Sequence, residues 1–378
     1  MLTFAEFTPK TPGLIDGLKK LVSIESPSTE KLAVDRLVSV LHVELENLGA
    51  FVSEVVQTSV GNQLIARWNQ PVSKKSGLLF LCHMDTVYDL GTLQKRPLKI
   101  DGDRLYGPGA LDMKAGIVLL LEAVRNLQEM GQFPNRPITA LFTSDEETGS
   151  IHSRALIEQL ASTAELTLCL EAAMPDGSLK TARKGTGELE IITRGVAAHA
   201  GVDHSKGRNA IEELAHHILA VQRLTDYATG TTLSVGKVSG GTRTNVVPDD
   251  ARAVVDLRVT SSAEADRIRA WASQVRPVLE GTSVTVHVHQ DRPPMPRDAI
   301  MIATFERVRS IAQKLGLNLG EGSTGGGSDA NFVAALGKAV MDGLGAIGEG
   351  GHSEKEYVLI PSLAERAALL AGIITEWK

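Results

Sequence analysis

Five consecutive apolar residues, Leu78 to Cys82, stop at His83-Met84-Asp85. A short unbroken apolar run is what a parallel strand covered on both faces looks like, and such a strand commits the chain to an α/β sheet flanked by helices. The first polar side chain beyond it stands at the C-terminal rim, where open α/β sheets bind their ligands. Two further runs behave alike: residues 138–144 (ITALFTS) lead into Asp145-Glu146-Glu147, and residues 166–170 (LTLCL) into Glu171. Three buried strands that bring His, Glu-Glu and Glu to one rim make a candidate metal site.

The remaining chain frames these strands. Periodic apolar positions predict helices over 12–24 and over 32–45, the second capped by Ser28 or Thr29 and ended by Gly49. Alternating segments at 52–56 and 62–68 predict a pair of edge strands, and Asp101-Gly102 with Gly107-Pro108-Gly109 punctuate a hairpin-like excursion. Asp112 precedes a strongly periodic helix carried by Ile117, Val118, Leu121, Val124 and Leu127. After Glu171 the pattern changes. From about 185 to 291 it reads strand, helix, strand, strand, helix, strand, a ferredoxin-like unit with alternating strands such as VVDLRV, and Pro277 shortens its second helix. The Pro-rich 291–296 returns the chain to α/β pattern, with a helix over 298–315, a Gly-rich loop (EGSTGGGSDAN), the strand-like KAVMD and a last helix over 363–376. A catalytic domain, 1–184 and 292–378, is thus interrupted by a smaller α+β domain, 185–291.

At 378 residues the chain is too long for one compact core. Its net charge of −6, with no basic block, argues against nucleic acid or an anionic membrane as partner. Cys82 and Cys169, the two cysteines, sit inside apolar strands and act as small hydrophobes, not as a disulfide framework. The N-terminal stretch lacks a signal peptide's basic start and apolar core, and no run of about 18 apolar residues occurs. The expected address is the cytoplasm.

Each candidate residue has a plainer reading when taken singly. His83 could be a hydrogen-bonded structural histidine, Asp112 a helix cap, Asp145-Glu146-Glu147 a solvated turn, and His352 a polar residue in a glycine loop. Convergence changes the balance. Glu171 directly follows an apolar strand, where an unpaired carboxylate is costly, and the strand ends carry no Lys or Arg. A divalent cation supplies the missing charge. Two histidines and three carboxylates (His83, Asp112, Glu147, Glu171, His352) suit zinc. Five ligands are too many for one catalytic zinc but fit two that share a carboxylate. Glu146 is then left over and is placed to be a general base. The Gly-rich loop lacks the GK[ST] ending of a phosphate loop; its glycines, Gly326 among them, would bring backbone N–H groups near a substrate carboxylate.

The segments HMDTV (83–87), GALDMKAG (109–116), SDEETGS (144–150), LEAA (170–173), RKGTG (183–187), AAHAG (197–201), RTNVVPDDARAVVDLRV (243–259), TGGGSDA (324–330) and GGHSEKEYV (350–358) together resemble the M20 family of metallopeptidases. The subgroup they are most similar to is that of the carboxypeptidase G2-like glutamate carboxypeptidases. The resemblance implies a zinc-exopeptidase-like catalytic domain with a mixed, mostly parallel sheet, and a lid that also dimerises. It implies two Zn2+ per subunit, with Co2+ or Mn2+ as substitutes: His83 and Glu171 on one, Glu147 and His352 on the other, Asp112 bridging. The Asp112–Met113 bond matches a position that is usually cis in the family. Asp85 matches the carboxylate that orients His83, Glu146 the base, and His199 the oxyanion-stabilising residue, acting in its own or in the partner subunit. Asn245 and Arg258 match residues that bind substrate carboxylate or carbonyl groups. Without the resemblance, His199 reads as a loop histidine, Asn245 as turn chemistry before Pro248, and Arg258 as a surface residue.

The expected activity is hydrolysis of an amide bond beside a free carboxylate in a small molecule or short peptide, releasing a C-terminal amino acid, with glutamate first. Lys180, Arg183, Lys184 and Arg292 are the basic residues available for a second carboxylate. A deacylase acting on acetylated or succinylated amino acids would use the same metals. A non-catalytic metal-dependent scaffold would have no use for Glu146.

Overall fold

The computed structural model describes residues 3–69 and 77–377. The chain divides into two compact units. The larger contains the residues up to Ala182, Arg297–Thr324 and those from Ser328 onward; the smaller is Arg183–Pro296 with Gly325–Gly327.

In the larger unit, helices α1 (Thr11–Val22) and α2 (Lys31–Asn47) precede strands β1 (Phe51–Val55), β2 (Gln63–Trp68) and β3 (Leu78–His83). All six residues of β3 are buried, which explains its lack of alternation. A short helix α3 (Thr92–Lys95) and the hairpin β4 (Lys99–Asp101)–β5 (Arg104–Tyr106) lead to helix α4 (Ala115–Glu129), then β6 (Ile138–Thr143), α5 (Arg154–Thr163), β7 (Leu166–Cys169) and β8 (Leu179–Arg183). The main sheet has the order β1-β2-β6-β3-β7-β16, the last strand arriving late in the chain. β3 runs parallel to β6 and to β7, whereas β2 is antiparallel to both β1 and β6. The sheet is therefore mixed and mostly parallel. Only β1 of the expected edge pair lies at the edge, because β2 is taken up between β1 and β6.

The smaller unit begins with β9 (Gly185–Arg194), β10 (Ala198–His199) and α6 (Ala210–Gln222). It continues with β11 (Thr232–Gly240), β12 (Val246–Val247), β13 (Asp250–Val259), α7 (Ser262–Gln274) and β14 (Ser283–Arg292). Its sheet order, β11-β13-β9-β14, is all antiparallel and is the ferredoxin-like arrangement. Leu189, Ile191, Val255 and Leu257 face Leu214, Val221 and Ile268 in one core, so the alternation in these strands reports a sheet covered on one face. α7 stops at Gln274, three residues before Pro277. The entry and exit of the unit meet: Arg183 and Met295 exchange both backbone hydrogen bonds, at 2.9 and 3.0 Å.

The chain then completes the larger unit with α8 (Ala299–Lys314), β15 (Glu321–Thr324), α9 (Ala330–Ala335), β16 (Val340–Met341), β17 (Gly348–Glu349), β18 (Tyr357–Leu359) and α10 (Ile360–Glu376). β16 extends the main sheet parallel to β7, β15 pairs β8, and β17-β18-β5-β4 form a separate antiparallel sheet. Helices α4 and α10 are buried along most of their length, in keeping with their apolar sequence. Among the described residues, no helix is long and apolar enough to cross a membrane.

Candidate metal centre

Parallel pairing levels the ends of the three central strands. His83 is in register with Thr143, and Leu81 with Cys169, so His83, the turn Glu146–Thr148 and Glu171 emerge on one rim. Close packing keeps Glu171 there: a Cβ at Gly116 would come within 2.2 Å of the Leu170 carbonyl oxygen, and one at Gly345 within 2.7 Å of that of Glu171. Asp112 arrives from an irregular turn, Ala110–Lys114, that precedes α4, and the Asp112–Met113 peptide is cis. His352 comes from the loop between β17 and β18, at φ +62°.

The five residues that the sequence singles out as ligands meet. His83 Nε2 lies 3.1 Å from Asp112 Oδ1 and 3.4 Å from Glu171 Oε1. His352 Nε2 lies 3.1 Å from Asp112 Oδ2 and 3.0 Å from Glu147 Oε2. Each Asp112 oxygen thus faces a different histidine. The plain reading of Asp112 as a helix cap does not hold, since Lys114 occupies the cap position of α4. Zinc ligands at about 2.0–2.1 Å in a tetrahedral site stand roughly 3.3 Å apart, close to these separations. Glu147 Oε1 is buried without a hydrogen-bond partner, which a carboxylate tolerates poorly unless a cation takes its lone pairs. The donor set therefore fits a pair of divalent cations. Glu146, His83 and Glu171 also present atoms within 4.8 Å of one another, which puts the Glu146 carboxylate on the His83 side.

Asp85 acts differently from the expectation. His83 Nδ1 is 3.0 Å from the Asp85 backbone oxygen but 3.6 Å from its carboxylate, beyond hydrogen-bond range. The fully buried carboxylate instead accepts from the amides of Glu146 and Glu147, both at 3.2 Å, and from Ser28 Oγ at 2.7 Å. Asp85 thereby fixes the turn that carries base and ligand, and orients His83 through its main chain. Ser28, expected as a cap of α2, is spent on this contact; Glu30 occupies the cap position without a side-chain bond.

Electrostatics follow from the crowding. Burial would lower the His83 pKa, but the carboxylates of Asp112, Asp85 and Glu171 close around the ring lift it well above its ordinary value. Burial would raise the Asp112 pKa, yet His352 and His83 hold it far below the usual carboxylate range. Glu147 is raised, chiefly by burial. Asp112 and then Glu147 push His352 up to about 11. A raised pKa stabilises the folded metal-free chain fully below 6.5, and that contribution is lost as pH rises toward 11. The melting temperature of chelator-treated protein should therefore fall between pH 7 and 10, more steeply than that of the metal-loaded form. Parallel melting curves would refute the charge balance described here.

The other expected site residues belong to other elements. In the smaller unit, β10 pairs β12, and Ala200 N donates to Asn245 O at 3.0 Å, so His199 and Asn245 are neighbours. His199 Nδ1 accepts from the amides of Gly201 and Val202, both at 3.1 Å, which leaves the proton of the neutral ring on Nε2. Arg258 and Arg292 share a rung across Thr186 of β9. Arg258 Nε contacts both Asp256 oxygens, at 2.8 and 2.9 Å, and Arg292 is buried. Gly326 and Gly327 offer carbonyls to Arg183 Nη1 at 3.2 and 3.0 Å. Lys180, in the larger unit, lies on β8 and its amide donates to Asp342 O. The sequence reading missed Tyr88 and Arg96, which both donate to Ser353 O beside His352, at 3.0 and 2.7 Å. It also missed Glu356; no local pattern marks any of the three.

The profile described as peptidase family M20/M25/M40 matches residues 79–376. Carboxypeptidase G2 of Pseudomonas sp. (strain RS-16) is 32% identical over 99% of this chain and 91% of its own. A succinyl-diaminopimelate desuccinylase of Pseudomonas fluorescens is 28% identical over 68% of this chain and 70% of its own. Among solved structures, the aminopeptidase PepT of Bacillus cereus superposes with a TM-score of 0.78 at 26% identity, covering 97% of this chain and 98% of that one.

Proposed function

Since the chain belongs to peptidase family M20/M25/M40, we propose that this hydrolase is a dinuclear zinc carboxypeptidase that cleaves an amide bond beside a free carboxylate and releases C-terminal glutamate. The observation that carries the reading is the meeting of His83, Asp112, Glu147, Glu171 and His352 around a buried, partnerless carboxylate oxygen. His83 and Glu171 would hold one cation, Glu147 and His352 the other, and Asp112 both. Such a pair would supply Lewis acidity toward a carbonyl oxygen and lower the pKa of a water held between them toward about 7.

The protein's own groups do the rest. Glu146, beside the ligands but surplus to them, takes the proton of the attacking water and returns it to the leaving nitrogen. Its position is set by the Asp85 carboxylate on its amide. His199, with its outer nitrogen protonated, is assigned to the developing oxyanion, in its own subunit or a partner's. Asn245 and Arg258 are assigned to the substrate carboxylate, Arg292 and Lys180 to a second one, and the Gly326 loop to backbone contacts. The likeness to carboxypeptidase G2 supports glutamate; the likeness to a desuccinylase supports the second reading, deacylation of N-acyl amino acids. On the first reading the smaller unit also forms a homodimer, which sedimentation in solution would test.

A substrate panel decides between the two. Zinc-loaded protein should release glutamate from N-acyl-glutamates and folate-like conjugates, stop on chelation, and recover with Zn2+, Co2+ or Mn2+. Turnover confined to succinylated diamino acids would favour the second reading, and turnover unaffected by chelation would end both. Replacing Arg258 by Met should raise KM for the carboxylate substrate by about 10–100-fold, the worth of a charge-assisted hydrogen bond of roughly 1.5–3 kcal/mol, with less effect on kcat. An unchanged KM would remove Arg258 from the substrate site.

A further inference from the structure

Glu356 follows His352 by four residues, closes the same loop, and is 1% exposed. A carboxylate taken out of water needs donors, and this one takes three from the main chain ahead of α4. Oε2 accepts from Gly109 N at 2.9 Å, and Oε1 from Leu111 N at 2.8 Å and Asp112 N at 3.1 Å. The contacts close a ring: from His352 along the chain to Glu356, across to the Asp112 amide, and from Asp112 Oδ2 back to His352 Nε2 at 3.1 Å.

The loop needs such a tether. Gly350 and His352 both sit at positive φ, 81° and 62°, so no regular ladder holds the segment between them. On its other side Tyr88 and Arg96 donate to the Ser353 carbonyl, and the Arg96 guanidinium lies 4.7 Å from the Tyr88 ring centre. Glu356 is the side chain that ties the Asp112 amide to the segment carrying His352. His83 and Glu171 depend on strand ends instead, and have no share in the ring.

Resting on the dinuclear reading above, we infer that Glu356 is a positioning residue that sets Asp112 and His352 in mutual register. The cation shared by His352, Glu147 and Asp112 therefore depends on Glu356, whereas the one shared by His83, Glu171 and Asp112 depends on it far less. Glu356→Gln is the sharp variant, because its amide nitrogen donates where the structure requires an acceptor.

The test is titration of metal-free protein with Zn2+ against a chromogenic chelator, with stoichiometry read by native mass spectrometry, for wild type, E356Q, E356D and His352→Ala. Wild type should take two cations. E356Q should weaken one by about 10–100-fold, the usual worth of an outer partner of a metal ligand, and leave the other within about threefold, as His352→Ala does. Its kcat should recover with excess Zn2+ while KM stays near wild type, and E356D should fall between. Two cations bound to E356Q with wild-type affinity, or both weakened alike, would overturn the inference and leave the dinuclear reading standing. A wild type that binds fewer than two would overturn that reading and this one with it. If E356Q does not fold, Tyr88→Phe takes its place: a smaller loss confined to the same cation supports the inference, and unchanged affinity for both overturns it.

Discussion

Glu146→Gln should lower kcat by about 10²–10⁴-fold while both cations stay bound. The variant keeps the shape of the side chain and the Glu146 amide bond to Asp85, so the turn that carries Glu147 is left in place. What it removes is the only property assigned to Glu146, acceptance of a proton. The prediction is sharp because the Glu146 carboxylate also lies within reach of His83 and Glu171 and could serve as a ligand instead. Metal content by elemental analysis, measured beside kcat, separates the roles. A base variant loses rate and keeps two cations; a ligand variant loses rate and a cation together. Full activity in Glu146→Gln would leave the proposed chemistry without a proton carrier.

Asp112→Ala should weaken both cations at once, each by about two decades in affinity. Four-ligand zinc sites bind with about 10–16 kcal/mol, so one ligand is worth roughly 3 kcal/mol, or about 10² in affinity. Asp112 presents its two oxygens to two different histidines. Single-ligand variants on either side, Glu171→Ala or Glu147→Ala, should deplete one cation and spare the other. Dialysed Asp112→Ala should retain less than one equivalent of metal and show no turnover above background. Two equivalents retained would mean that Asp112 does not bridge. The histidines of metal-free Asp112→Ala should also titrate lower than in wild type, because Asp112 is the largest influence that raises His352.

How far the site was legible follows from what each residue depends on. His83, Glu147 and Glu171 could be read because they end apolar strands, and strand ends are local pattern. Asp112 could not be separated from a helix cap, since an Asp ahead of a periodic helix looks the same in both roles. Ser28 was misread for a related reason: its partner Asp85 is 57 residues away, and nothing nearby announces the bond. Glu356, in SEKEYV, reads as a solvated charge, and only the fold reveals that it is buried against Gly109–Asp112. In the fold, the ferredoxin-like pattern was clear from its alternation and β16 falls inside the strand-like KAVMD, whereas β17 and β18 are two or three residues long and too short for any periodicity to register. The inner place of β2 was likewise hidden, because edge and inner antiparallel strands share one alternation.

The reciprocal bond pair between Arg183 and Met295 bears on how a chain of this kind assembles. Gathering the two distant stretches of the larger unit from an open coil costs more chain entropy the longer the segment between them. Once the smaller unit has condensed on its own core, its two ends are already side by side, and the polymer that must be looped shrinks to a few links. Maturation in that order, inner piece before outer, spares the main sheet its longest-range search. It also marks the Arg183–Met295 junction as the natural seam at which to graft one such unit in place of another.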